Sequence, residues 1–144
     1  MDIERAGPAD RASIEALVTA AGLPLDGVAD AFETGLVIRS EGAVVAAAAV
    51  EPYGTAGLLR SVVVDPRVRG TGLGRRIVEA SERLATELGI RELYLLTETA
   101  SDWFPRLGYR AVERASLPVA IRNSVEFTSA CATTAVAMTR RLDS

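Results

Sequence analysis

Apolar residues follow two periods along the chain, and the switches between them outline the fold. Residues 1 to 5 read as a short first strand. Gly7-Pro8 opens a helix, with proline in its tolerated first turn, and Ile14, Leu17, Val18 and Ala21 form the apolar stripe. Gly22 ends that helix, and Leu23 to Gly27 is a loop before a short helix through Phe32. Residues 36 to 40 and 43 to 51 alternate as strands around a Glu41-Gly42 hairpin turn. Residues 57 to 65 form the next strand, bounded by Gly54 and Pro66. From Thr71 to Leu88 the period becomes helical. Leu73, Ile77, Ala80, Leu84 and Leu88 recur on one face, while Arg75, Glu79, Glu82, Arg83 and Glu87 are expected to face water. Glu92 to Thr97 is a strand, Ala100 to Leu107 a short helix, and Tyr109 to Arg114 and Thr134 to Arg141 the last two strands. Ala115 to Thr133 is long for a connection, and such loops are usually functional or disordered.

This interleaving predicts an α/β (α+β) domain with a mixed central sheet. At 144 residues the chain is long enough for one domain with a proper core, and an apolar fraction of 49% suits it. The net charge of -3 argues against nucleic acid as the main partner. Ala43 to Val50, the longest apolar run, is too short to span a membrane. No basic-then-apolar region opens the chain, and one cysteine permits no internal disulfide, so a cytoplasmic location is expected. With no histidine and a lone Cys131, a zinc site is implausible, and no metal is expected. Cys131, among small residues, reads as a packed thiol.

The candidate chemistry sits between the strand at 57 to 65 and the helix after it. Val62-Val63-Val64-Asp65-Pro66 is followed by Arg67-Val68-Arg69-Gly70-Thr71-Gly72-Leu73-Gly74-Arg75-Arg76. Glycines let backbone amides approach an anion, and the helix N-terminus adds its positive dipole end. Arg69, Arg75 and Arg76 add charge. A P-loop requires a lysine that this chain lacks. The dinucleotide fingerprint needs another glycine spacing and an early position in the chain. An Arg-x-x-Gly-x-Gly pattern after Val-x-Val-Asp-Pro remains.

That pattern resembles the acetyl-coenzyme A pyrophosphate loop of the GNAT family of N-acetyltransferases. Trp103-Phe104-Pro105-Arg106-Leu107-Gly108-Tyr109 is similar to the segment that closes such domains. Within the family, Leu95 to Ala100 followed by Trp103-Phe104 resembles the acetyltransferase domain of N-acetylglutamate synthases. The tail from Leu117-Pro118 through Ile121-Arg122, Ser124, Glu126-Phe127, Ser129 and Cys131 to Ala137-Met138 resembles the small ArsN-type arsenic-resistance acetyltransferases.

The resemblance implies a sheet of about seven strands, flanked by helices and splayed at its middle strands. It implies acetyl-CoA as co-substrate. Backbone groups of Val62, Val63 and Val64 would hold pantetheine and the acetyl carbonyl. Amides of Arg69, Gly70, Thr71, Gly72, Leu73, Gly74 and Arg75 would hold the pyrophosphate. Phe104 stands where the family often has a tyrosine, and phenylalanine cannot protonate a leaving thiolate. Ser101, another hydroxyl or water is left for that task. Glu98 is the expected base, through water.

Strand alternation groups Leu58, Arg60, Val62 and Val64 on one face. Family geometry turns that face to the acceptor, so Arg60 is expected to clamp an anionic acceptor, with Arg122 as a second cation. The implied reaction moves an acetyl group to the amine of a small amino acid or an amino-acid-like toxin such as arsinothricin or phosphinothricin. The expected partner is thus a small-molecule amino-acid acceptor, with no nucleic acid or membrane, and a homodimer is compatible. A protein N-terminal acetyltransferase and a non-catalytic acetyl-CoA sensor are the other readings.

Overall fold

A computed structural model describes residues 2–124 and 135–142. The sequence reading of Glu126, Phe127, Ser129 and Cys131 falls outside the described residues. Seven strands form one sheet: β1 (Asp2–Arg5), β2 (Gly35–Ser40), β3 (Ala43–Tyr53), β4 (Ala56–Val64), β5 (Glu92–Thr97), β6 (Arg110–Val112) and β7 (Val136–Arg141). Their spatial order is β1-β2-β3-β4-β5-β7-β6. Neighbours are antiparallel except β4 and β5. That parallel pair requires a crossover, which α3 (Leu73–Glu87) provides. The other α-helices among the described residues are α1 (Arg11–Ala20), α2 (Val28–Ala31) and α4 (Val119–Arg122). No helix among the described residues is long and apolar enough to cross a membrane.

The core has two sides. On one, Ile77, Val78 and Leu84 of α3 pack on Ala46, Ala48, Val50, Leu59, Leu93 and Leu95. On the other, Ile14 and Val18 of α1 and Val28 of α2 cover Val37, Ala47, Ala49 and Val63. Leu117 and Ile121 continue that side over Leu58 and Ala137. Ala46, Ala47, Ala48 and Ala49 of β3 are fully buried, so small side chains there let helices approach both faces closely.

Two sequence expectations need correction. First, β4 does not alternate along its whole length. Ala49 faces Arg60 and Ala47 faces Val63, so Ser61 and Val62 together oppose Ala48. Ser61 takes a left-handed backbone (φ 56°), and this bulge shifts the phase by one residue. Leu59, Val62 and Val64 therefore pack toward α3, while Leu58 and Val63 face the other way. Second, Glu82 is buried at 8% exposure. Its carboxylate accepts hydrogen bonds from Tyr109 Oη at 2.8 Å and Arg140 Nη1 at 2.7 Å. Helical periodicity on α3 could not reveal partners that come from other elements. In addition, α3 starts at Leu73 rather than Thr71, and the segment after β5 tightens into a 3₁₀ turn at Phe104–Leu107.

Candidate active site

The parallel ladder between β4 and β5 is short. It joins Ala56 to Glu92, Gly57 to Leu93 and Leu58 to Tyr94, then stops. β4 continues to pair with β3 as far as Val64, so its other edge is unpaired toward β5 beyond Leu58. The strands part into a cleft that passes through the sheet. Trp103 and Phe104, from the α3 side, and Ala21 and Leu23, from the α1 side, line the same opening.

The lower half of the cleft is the glycine loop. It is lined by Val62, Val63 and Val64, then Val68, Arg69, Gly70, Gly72, Leu73, Gly74 and Arg75. The loop is held from inside. The Asp65 carboxylate accepts from Arg67 N at 2.9 Å and Arg67 Nη2 at 2.8 Å. The Arg67 guanidinium, and then its backbone amide, hold the Asp65 carboxyl down to about 2. The Thr71 hydroxyl donates to Val68 O. Gly70 and Gly72 both have φ 82°, a conformation that disfavours any side chain.

Gly72 caps α3 without a side-chain hydrogen bond, and no acidic residue occupies the first turn. The first amides of a helix have no partner inside it, so this end presents donors and a positive dipole to the cleft. Arg69, Arg75 and Arg76 are exposed around it. Arg75 also reaches Glu79 at 3.6 Å and the Arg106 carbonyl at 3.5 Å. An uncapped helix end with two left-handed glycines and several arginines fits a diphosphate. The unpaired β4 edge fits an extended amide-bearing chain such as pantetheine.

Gly74 has a different reason. A Cβ there would lie 3.0 Å from Trp103 Cζ2, so its absence lets the indole lie against the first turn of α3. Sequence reading placed Trp103 only in the segment that closes such domains. The structure makes it a wall of the cleft. Its signal in the sequence was the third glycine, one more than the turn itself needs.

Phe104 lines both halves of the cleft and is nearly buried, at 6% exposure. Its ring meets Trp103 edge-on at 4.9 Å and Tyr109 at 5.6 Å. Tyr109 is fixed from behind by Glu82, and burial, then that carboxylate, push its hydroxyl well above the usual tyrosine range. Tyr109 is therefore a neutral anchor behind Phe104.

The upper half of the cleft gathers Arg60, Ser61, Glu98, Thr99, Ala100 and the turn after α1. Glu98 is exposed on the rim, just after β5, where the Thr97 hydroxyl accepts from Ala100 N at 2.9 Å. Arg60 also lines this half, although the bulge takes it off the face shared by Val62 and Val64, and its guanidinium is turned inward. Nη2 donates to Asp26 O at 2.7 Å, Nε to Ser61 Oγ at 3.3 Å, and Nη1 meets Glu51 Oε2 at 3.5 Å. Two other expected residues lie elsewhere. Ser101 is half-buried beyond the cleft-lining residues, whereas Thr99 lines both halves. Arg122 ends α4, donates to Leu117 O at 3.1 Å, and is not among the residues that line the cleft.

Comparison with known proteins agrees with this geometry. The family model for the acetyltransferase (GNAT) domain matches residues 32–111, which hold β2 to β5 and the whole glycine loop. The amino-acid acetyltransferase of Pseudomonas paraeruginosa (strain DSM 24068 / PA7) is 33% identical over 86 residues, covering 58% of this chain but 20% of that protein. The chain thus spans about a fifth of the length of the curated relatives it matches. The N-acetylglutamate synthase of Neisseria gonorrhoeae, solved with coenzyme A and N-acetyl-glutamate, superposes with a TM-score of 0.86 at 20% identity. It covers 99% of this chain and 35% of that one. Rv2747 of Mycobacterium tuberculosis, solved in complex with CoA, gives 0.80 at 20% identity, covering 98% of this chain and 99% of that one. From the family match, the parted strands and the glycine loop together, this chain belongs to the GNAT family of acetyltransferases.

Proposed function

We propose that the domain transfers the acetyl group of acetyl-CoA to the amino group of a small amino acid or an amino-acid-like toxin of the arsinothricin or phosphinothricin kind. The observation that carries this reading is the single cleft between β4 and β5. One half is built from amides, glycines and arginines, and the other places a buried cation, Arg60, and a rim carboxylate, Glu98, in one wall. A wall that carries both charge signs suits a small zwitterion through its field, without direct contact to the inward-turned Arg60 guanidinium. The relatives named amino-acid acetyltransferase support the same acceptor class.

Acetyl-CoA, when bound, supplies an activated acetyl thioester. The unpaired β4 edge from Val62 to Val64 holds its pantetheine as an added strand would be held. The first amides of α3 with the loop from Arg69 to Arg75 hold the diphosphate. Phe104, packed between Trp103 and Tyr109, forms an apolar floor that excludes water from the thioester. The acceptor enters as an ammonium and must lose a proton before its nitrogen bonds to the acetyl carbon. Glu98 accepts that proton through water. As the carbon–sulfur bond breaks, the nitrogen's second proton passes through water or the Thr99 hydroxyl to the departing thiolate, since Phe104 has none to give.

Thiol release from acetyl-CoA with a panel of amino acids, their decarboxylated amines and short peptides tests this. Release with amino acids above the rate with peptides is expected. Release with peptides alone overturns the acceptor class, and acceptor-independent binding without release overturns the enzyme.

A further inference from the structure

The loop between α1 and α2 forms the ceiling of the acceptor half. Ala21, Gly22, Leu23 and Pro24 line the cleft there. Left-handed glycines bracket the loop, Gly22 at φ 72° and Gly27 at φ 73°. Its N-terminal end is tied to α1 through Leu23 N, which donates to Val18 O at 3.1 Å. Leu25 at its tip is 46% exposed and so gains little from packing. On the sheet side, the Asp26 carbonyl receives the 2.7 Å bond from Arg60 Nη2.

Arg60 itself is rigidly set. Its side chain is fully buried, and Glu51 on the neighbouring strand faces its Nη1. Glu51 is fixed in turn by the Tyr53 hydroxyl at 3.0 Å. A bidentate clamp on an acceptor carboxylate needs two adjacent N–H groups in one plane. Here each of the three guanidinium nitrogens already has a partner in the protein, a hydroxyl, a carboxylate or a carbonyl, and the group is turned away from the cleft.

We infer that Arg60 is a positioning residue that latches the α1–α2 loop over the acceptor half of the cleft, with Glu51 as its counter-ion. It selects acceptors by fixing the ceiling rather than by touching their carboxylate. This rests on the acetyltransferase reading for its effect on catalysis, but not for its effect on the loop. The latch fixes the height of the cleft, so it favours acceptors of single amino-acid size over longer chains.

Hydrogen exchange at the amides of Leu23 and Val28, measured in wild type, Arg60→Ala and Arg60→Lys, tests the latch directly. Loss of one charge-assisted hydrogen bond should speed exchange in the loop by about ten- to a hundredfold in Arg60→Ala, with α3 and β5 unchanged. Lysine can reach the Asp26 carbonyl or Glu51 but not both, so Arg60→Lys should fall between. In thiol release, KM should rise by the same factor for an amino acid and for its decarboxylated amine, with kcat little changed. Unchanged loop exchange in a folded variant overturns the proposal, and so does faster exchange throughout the domain. A KM rise confined to carboxylate-bearing acceptors makes Arg60 a direct clamp instead. If Arg60→Ala does not fold, Arg60→Lys carries the same comparison. If wild type acetylates no amine, the acetyltransferase reading fails while loop exchange still decides the latch.

Discussion

The two halves of the cleft are built from different material. The lower half is backbone: an unpaired strand edge, two left-handed glycines and the uncapped end of a fifteen-residue helix. The upper half is side chains drawn from β3, β4, the end of β5 and the α1–α2 loop. A backbone site must be kept clear by residues with little or no side chain, so it leaves a compact pattern in one stretch of sequence. A side-chain site depends on which distant segments meet, and it leaves no such pattern. The lower half can therefore be kept while the upper half is rebuilt.

Changes to the backbone half should have the largest effects. Gly72→Glu forces a side chain onto a φ of 82° and puts a negative charge at the helix end. It should weaken CoA binding by about a hundredfold or more while the domain stays folded, as calorimetry can show. Retained affinity would place the diphosphate elsewhere. Gly74→Leu should be milder. Its side chain must displace Trp103, from which even a Cβ stands only 3.0 Å away, and CoA affinity should fall by about tenfold.

A third substitution sharpens the contrast by acting behind the cleft. Tyr109→Phe leaves Glu82 with Arg140 alone. Stability should drop by about 1–3 kcal/mol in urea titration, with CoA affinity nearly kept. Loss of CoA affinity without loss of stability would mean that Tyr109 contacts the ligand itself.

The smallest effect concerns pH. Asp65 has a folded-state value near 2, below its ordinary 3.8, chiefly through Arg67. A lowered carboxyl adds stability that is full above the ordinary value and is lost as pH falls through the folded one. Wild type should therefore melt slightly above Asp65→Asn at neutral pH. The gap should close between about pH 4 and pH 2. Arg67 is 83% exposed, so salt should narrow the gap as well. A pH-independent gap would assign the stabilisation to something other than the Asp65 charge.

How much of this was legible in the sequence follows the same division. Periodicity and turn residues together located the strands, and the central ones, buried on both faces, read as apolar runs between glycine and proline. The glycine spacing located the loop. The bulge at Ser61 was hidden, since nothing marks a serine for a left-handed backbone, and it changed which β4 residues share a face. Glu82 looked like a solvent-facing helix residue because its partners, Tyr109 and Arg140, arrive from other elements. Arg60 could be singled out from the sequence, but its partners Asp26 and Glu51 come from another loop and another strand, so its inward turn was not legible.

The chain has one tryptophan, and Trp103 stands in the wall of the cleft. Its emission reports the central claim, that coenzyme A occupies the opening between β4 and β5. Titration with CoA should give a saturable change in wild type and in Arg60→Ala, and none in Gly72→Glu at the same concentrations. Calorimetric binding of CoA with no change in Trp103 emission, or an equal change in Gly72→Glu, would contradict it.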